Sequence, residues 1–190
     1  MESFDALAER LADAEPEAAD IAVLPAAEFA RQLELIIPHL RGYARSLCRS
    51  APQADDLVQD ALLRAWSARD RFRAGTNFKA WMFVILRNIF LSGMRRLKFE
   101  QGPTGEEPEI VAPAAQPGHM ELLAVKDALD RLSPARREAL MLVGAAGMSY
   151  EEAADVCGSA VGTIKSRVSR ARTELQKLLD GEPAEPGDED

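Results

Sequence analysis

The segment from Ser149 to Arg172 constrains this chain more than any other, because it carries the punctuation of two short helices joined by a tight turn. Ser149 is placed to cap the first helix, and Glu152, three residues on, completes a capping box in which each side chain bonds the other residue's backbone N–H. Gly158 suits the turn, and Ser159 is placed to cap the second helix. Ala153, Ala154, Val161, Ile164 and Val168 have the apolar spacing that holds two such helices together. Lys165, Arg167, Arg170 and Arg172 fall on outward positions of the second helix. This is the pattern of a helix-turn-helix, whose second helix lies in the DNA major groove. A helical hairpin with a solvated basic face would share the apolar spacing, but the agreement between turn chemistry and basic helix favours the DNA reader.

A net charge of −8 is unexpected for such a protein until it is divided along the chain. Residues 61–99 hold nine basic residues against the single acid Asp70, and residues 161–179 hold five against Glu174. The rest is acidic. Two basic islands, one in each half, can therefore each meet phosphate. The length of 190 residues suits one or two small domains. Cys48 and Cys157 are too few and too far apart for a zinc site or a disulfide framework, and read as buried thiols of a reducing compartment. No signal-peptide order and no membrane-length apolar run is present, which places the chain in the cytoplasm with no membrane partner.

Helical periodicity predicts an all-α fold of two small domains. Residues 1–24 form an N-terminal extension, with Phe4, Leu7 and Leu11 spaced for at most a fraying helix. The first domain spans 25–99. Phe29, Leu33, Ile36, Leu40, Ala44 and Leu47 recur with helical period, although Pro38 is expected to break that stretch into two abutting helices. A segment from Pro52 to about Arg69 puts Leu57, Ala61, Leu62 and Ala65 on one stripe, and another from Asn77 to Leu97 turns Phe78, Trp81, Ile85 and Ile89 inward. Residues 100–118 concentrate Pro, Gly and Glu as a linker. The second domain, 119–179, opens with helices at about His119–Arg131 and Pro134–Ala145, with Ser133 as a cap and Pro134 at the first helical position. The tail, 180–190, has six acids and no base and reads as disordered.

Four motifs occur in order: Ala54-Asp-Asp-Leu-Val-Gln-Asp-Ala-Leu62 with Arg64-Ala-Trp66, Asn77-Phe-Lys-Ala-Trp-Met-Phe-Val-Ile-Leu-Arg-Asn88, Leu132-Ser-Pro-Ala-Arg-Arg-Glu138, and Val161-Gly-Thr-Ile-Lys-Ser-Arg167. Together they resemble the extracytoplasmic-function (ECF) sigma factors of bacterial RNA polymerase, over about residues 28–99 (sigma2) and 120–179 (sigma4). The linker run from Ala112 to His119 is similar to that of the alphaproteobacterial general-stress subgroup.

That resemblance implies a set of roles. Asp55, Asp56, Gln59 and Asp60 would dock on the clamp helices of the polymerase beta-prime subunit, although an acidic first half of a helix also simply complements the helix dipole. The loop Arg71–Asn77 and the helix after it would read and melt the −10 promoter element by trapping an extruded base, with Asn88 and Ser92 near that element and Arg95 and Arg96, with Lys98, on phosphates. Phe72 would help build the base pocket, whereas Phe78 and Trp81 read as core. Lys165, Ser166, Ser169 and Arg170 take the family's DNA-facing positions at the −35 element, with Arg167 and Arg172 beside them; Arg167 or Arg170 suits a guanine. Arg136 and Arg137 face either the DNA backbone or solvent. Implied partners are core RNA polymerase (beta-prime clamp helices with sigma2, the beta flap with sigma4), promoter DNA and an anti-sigma factor.

Other functions fit less of the chain. A regulator binding an operator alone leaves the first domain's motifs unexplained, and a sigma-like decoy has no need of a basic recognition helix. Enzymatic chemistry finds no support, because His39 and His119 are isolated and no phosphate loop, catalytic group of Ser, Cys and His, or cofactor or metal site is visible.

Overall fold

A computed structural model describes residues 24–48, 50–101 and 117–181. They form helices α1 (Ala26–Leu47), α2 (Ala51–Ser67), α3 (Phe78–Gln101), α4 (Pro117–Arg131), α5 (Pro134–Leu140), α6 (Tyr150–Cys157) and α7 (Val161–Leu179), with no strand element among the described residues. The fold is all-α, as expected. The chain divides into two compact units, the first ending at Glu107 and the second beginning at Pro108. Of the expected extension (1–24), linker (100–118) and tail (180–190), residues 1–23, 102–116 and 182–190 lie outside the described residues, as do the side chains of Lys98 and His119; α3 runs to Gln101 and α4 starts at Pro117, so the helices reach into both ends of the expected linker.

In the first unit α1, α2 and α3 pack pairwise. The buried face of α1 is Phe29, Leu33, Ile36, Leu40, Tyr43 and Ala44, spaced three to four residues apart. Pro38 does not divide this helix, which runs unbroken through it. The proline lies on the exposed side, so water can reach the Glu34 carbonyl that loses its N–H partner, while Ile36 and Leu40 hold the flanking turns to the core. Ser50 caps α2 by accepting a hydrogen bond from the Gln53 backbone N–H at 3.4 Å. Opposite, Ala54, Leu57, Val58, Ala61 and Ala65 are buried, and their small members let α2 approach its neighbours closely. Asn77 starts α3, its Oδ1 accepting from the Ala80 N–H at 3.0 Å.

In the second unit α7 is the hub, touching α4, α5 and α6. Ile164, Val168, Ala171 and Leu178 form its buried stripe. Pro134 occupies the first turn of α5, but the Ser133 hydroxyl makes no capping bond. The single helix expected at Pro134–Ala145 is also corrected. Its last five residues, Met141–Ala145, widen into a π turn closed by the Ala146 N–H on the Met141 carbonyl at 2.8 Å. The wider turn lets Leu142, Ala146 and Met148 all reach the core before α6 begins.

Candidate nucleic-acid interface

The helix-turn-helix is built by local chemistry that the sequence announces. The Glu152 N–H donates to Ser149 Oγ at 3.1 Å and the Ser149 N–H to Glu152 Oε2 at 2.7 Å, closing the capping box. At the other end of α6, Gly158 adopts φ +62°, with its N–H on the Asp155 carbonyl and the Ser159 N–H on the Ala154 carbonyl. This double back-bond makes Ser159 part of the turn that ends α6, so it is Ala160, without a side-chain cap, that opens α7. The expected Ser159 cap is therefore absent.

Lys165, Ser166, Ser169, Arg170 and Arg172 are exposed on α7. Lys165 Nζ lies 5.7 Å from the centroid of the Tyr150 ring, at the start of α6. Ser166 donates to the Thr163 carbonyl at 2.9 Å. Arg167, expected outward with the others, is half-buried. Its Nη1 reaches back to Ser159 Oγ at 3.5 Å and its Nε is enclosed with no partner, so its long stem lies across the turn. Arg136 and Arg137, expected to face either the DNA backbone or solvent, are half-buried. Arg136 bonds Glu174 on α7 at 3.0 Å and Arg137 bonds Asp130 on α4 at 2.8 Å, each tying α5 to a neighbour.

In the first unit the loop before α3 is shaped by a 3₁₀ turn at Arg69–Arg71, by Gly75 at φ +91° and by Thr76, whose hydroxyl donates to the Arg73 carbonyl at 2.8 Å. Phe72, expected to help build the base pocket, is buried beneath the loop. Its ring is 1 % exposed, at 5.1 Å from Trp81, 5.2 Å from Phe78 and 6.1 Å from Phe29. Edge-to-face packing on Phe29 and Phe78 and a tilted contact with Trp81 make Phe72 the plug beneath the loop. Trp81 is buried as expected, and Phe78 is half-buried. Asn88 is half-buried and Ser92, Arg95 and Arg96 are exposed, so these four follow one another along the same side of α3. Arg95 Nε bonds the Leu91 carbonyl at 3.2 Å.

Asp56, Gln59 and Asp60 are exposed on α2, and Asp55, half-exposed, lies 3.6 Å from Arg41 of α1. Sequence reasoning missed the apolar continuation of this face, Leu63 at 68 % exposure and Trp66 at 41 %. Both sit off the Leu57–Ala61 stripe, which was the available signal. Arg69 stacks over the Trp66 ring at 5.1 Å. Cys48 is half-buried, which pushes its thiol up from the ordinary range, and Cys157 is buried; neither is joined in a disulfide. Among the described residues no group of His, Cys, Asp and Glu could hold a metal, and no helix is long and apolar enough to cross a membrane.

Two helical units, one carrying a helix-turn-helix with an exposed basic face and the other an acidic face beside a basic helix, define a DNA-binding transcription protein. Residues 34–100 match the Sigma-70 region 2 family and residues 122–175 the Sigma-70 region 4 family. The chain is 49 % identical to the ECF RNA polymerase sigma factor EcfG of Rhodopseudomonas palustris, over 75 % of this chain and 80 % of that protein. Its fold is similar to that of the sigma factor RpoE of Bartonella quintana, solved with the anti-sigma factor NepR, at TM-score 0.74 and 50 % identity, covering 82 % of this chain and 98 % of that one. It is also similar to CnrH in complex with the cytosolic domain of CnrY, at TM-score 0.64 and 28 % identity over 95 % and 100 % of the two chains. This chain belongs to the ECF sigma factors.

Proposed function

We propose that this protein binds core RNA polymerase in the cytoplasm and directs it to stress-response promoters, under the control of an anti-sigma factor. It supplies recognition, and the polymerase supplies the chemistry. The observation that carries this reading is the coexistence, in one chain, of region 2 and region 4 units, each with its own charged face. Asp55, Asp56, Gln59 and Asp60 form the docking face. A basic subunit of the polymerase fits it by charge, with Leu63 and Trp66 as apolar anchors. Asn88, Ser92, Arg95 and Arg96 face the −10 element, while Phe72 supports the loop from beneath. On α7, Lys165, Ser166, Ser169, Arg170 and Arg172 enter the major groove at the −35 element. Arg167 braces the turn that sets their angle. The control partner is read from relatives: RpoE and CnrH were solved in complex with NepR and CnrY.

Run-off transcription with core polymerase on a promoter library, with and without this chain, tests the proposal. Transcripts that depend on the chain and share two upstream elements are expected. The free chain should bind the same duplexes weakly, since the net charge of −8 opposes the two basic islands. Tight sequence-specific binding without polymerase, or transcription unaffected by the chain, would overturn it.

A further inference from the structure

Lys165, an exposed cation of α7, has beside it an aromatic face that belongs to another helix. Its Nζ is 5.7 Å from the Tyr150 ring centroid, within the range at which an ammonium is drawn to a π face. Tyr150 is the first residue of α6, directly after the capping-box serine, and is half-buried. Its neighbour Glu151 is also near the cation: the carboxyl is held below its ordinary range, first by its own backbone N–H, then by Ser149, with attraction from Lys165 contributing. A lysine otherwise has four rotatable bonds and samples many ammonium positions, most of which miss any given base edge.

We propose that Tyr150 is a positioning residue for DNA recognition, whose ring face holds the Lys165 ammonium at one place on the groove-facing side of the helix-turn-helix and thereby sharpens base choice there. The inference rests on α7 being the reader of the −35 element. It goes further in making the first helix of the motif, through a residue that need not touch DNA, a determinant of specificity. The order gained by Lys165 is present before DNA arrives, so that less is lost on binding.

Three variants separate this from simple packing. Tyr150→Phe keeps the ring, Tyr150→Leu keeps apolar bulk without a π face, and Lys165→Met keeps the stem without the charge. Each is assembled as full chain with core polymerase, and equilibrium binding is measured on promoters altered one −35 base pair at a time. Y150F should bind within twofold of the parent. Y150L should bind about two- to fivefold more weakly, the strength of an exposed cation–π contact. It should also flatten the preference at the same base pair that K165M flattens, and add nothing in the K165M background. Nuclear magnetic resonance of the free chain supplies a second readout: the Lys165 ε-methylene signal should be ring-shifted, remain so in Y150F, and relax to the ordinary lysine position in Y150L. Loss in Y150F equal to that in Y150L, uniform weakening on every promoter, or a full additional loss on K165M would overturn the proposal. An unshifted ε-methylene in the parent would do the same. If instead K165M changes neither affinity nor preference, the fault lies with the DNA-facing role of Lys165, and the proposal falls with it.

Discussion

Arg136 on α5 and Glu174 on α7 are 38 residues apart and joined by a 3.0 Å hydrogen-bonded ion pair whose side chains are only 13 % and 16 % exposed. The pair fixes the recognition helix to the helix two elements before it. An arginine that from sequence faces either the DNA backbone or solvent is instead engaged in internal geometry. Arg136→Ala would leave Glu174 charged and enclosed, at a cost of about 2–4 kcal/mol. Chemical denaturation should show this loss in the second unit, and Arg136→Met with Glu174→Leu should recover most of it. Equal stability of Arg136→Ala and the parent would show that the pair is not formed in solution.

Phe72 separates a core role from a base-stacking role. Truncation to Ala should cost about 3–5 kcal/mol, because the ring fills the space between Phe29, Phe78 and Trp81. Phe72→Leu, close in volume, should cost about 1–1.5 kcal/mol and leave promoter opening by the holoenzyme near the parent level. Permanganate footprinting of the −10 region reads the opening. A fully folded Phe72→Leu that no longer opened the promoter would return the ring to the DNA.

The turn of the helix-turn-helix depends on Gly158, whose φ of +62° a side chain rarely adopts, although a Cβ there would meet nothing within 4 Å. The cost of Gly158→Ala is therefore conformational, about 1 kcal/mol or somewhat more. Ser149→Ala removes one arm of the capping box and should cost about 1 kcal/mol. The two sites bound opposite ends of α6, so their losses in denaturant melts should add.

Asp56 and Asp60 are exposed and serve no described internal contact, so Asn at both should leave stability within about 0.5 kcal/mol. If α2 is the docking face, affinity for core polymerase should nevertheless fall by tenfold or more, as judged by competition with another sigma factor. Asp55 should show a smaller change, because Arg41 at 3.6 Å already shares its charge. Unchanged affinity in the double variant would reduce these acids to dipole partners of their own helix.

Cys48 supplies a test by reactivity. Burial raises its thiol above the ordinary range, so less thiolate is present at neutral pH than in a free cysteine. Alkylation of the native chain at pH 7.5 should be slower than that of glutathione, and the rate should go on rising above the pH at which glutathione levels off. Urea should abolish both differences.

Much of the molecule was legible because its signals are local. The Leu57–Ala61–Ala65 stripe, the Ser149–Glu152 box and the Gly158 turn each follow from spacing or from the bonding habits of one side chain within a few residues. The same local rules misread Pro38, because on the exposed side of α1 water can satisfy the freed carbonyl, and exposure is not a local property. They also assigned Ser159 to the wrong helix, because its N–H bonds the Ala154 carbonyl in the turn that ends α6 and the next helix starts one residue later, behind Ala160.

The sequence by itself determined the helical class, the order of the elements, the two basic islands and the family that those motifs resemble. Only the tertiary structure decided which charged and aromatic side chains are left over for a partner. Phe72 turns inward because three rings from α1 and α3 surround it. Arg136, Arg137 and Arg167 are drawn into contacts with Glu174, Asp130 and Ser159. Lys165 stays outside but gains a ring from the preceding helix. A side chain's direction is set by whatever the fold brings within a few ångströms of it, and periodicity along one helix carries no record of that.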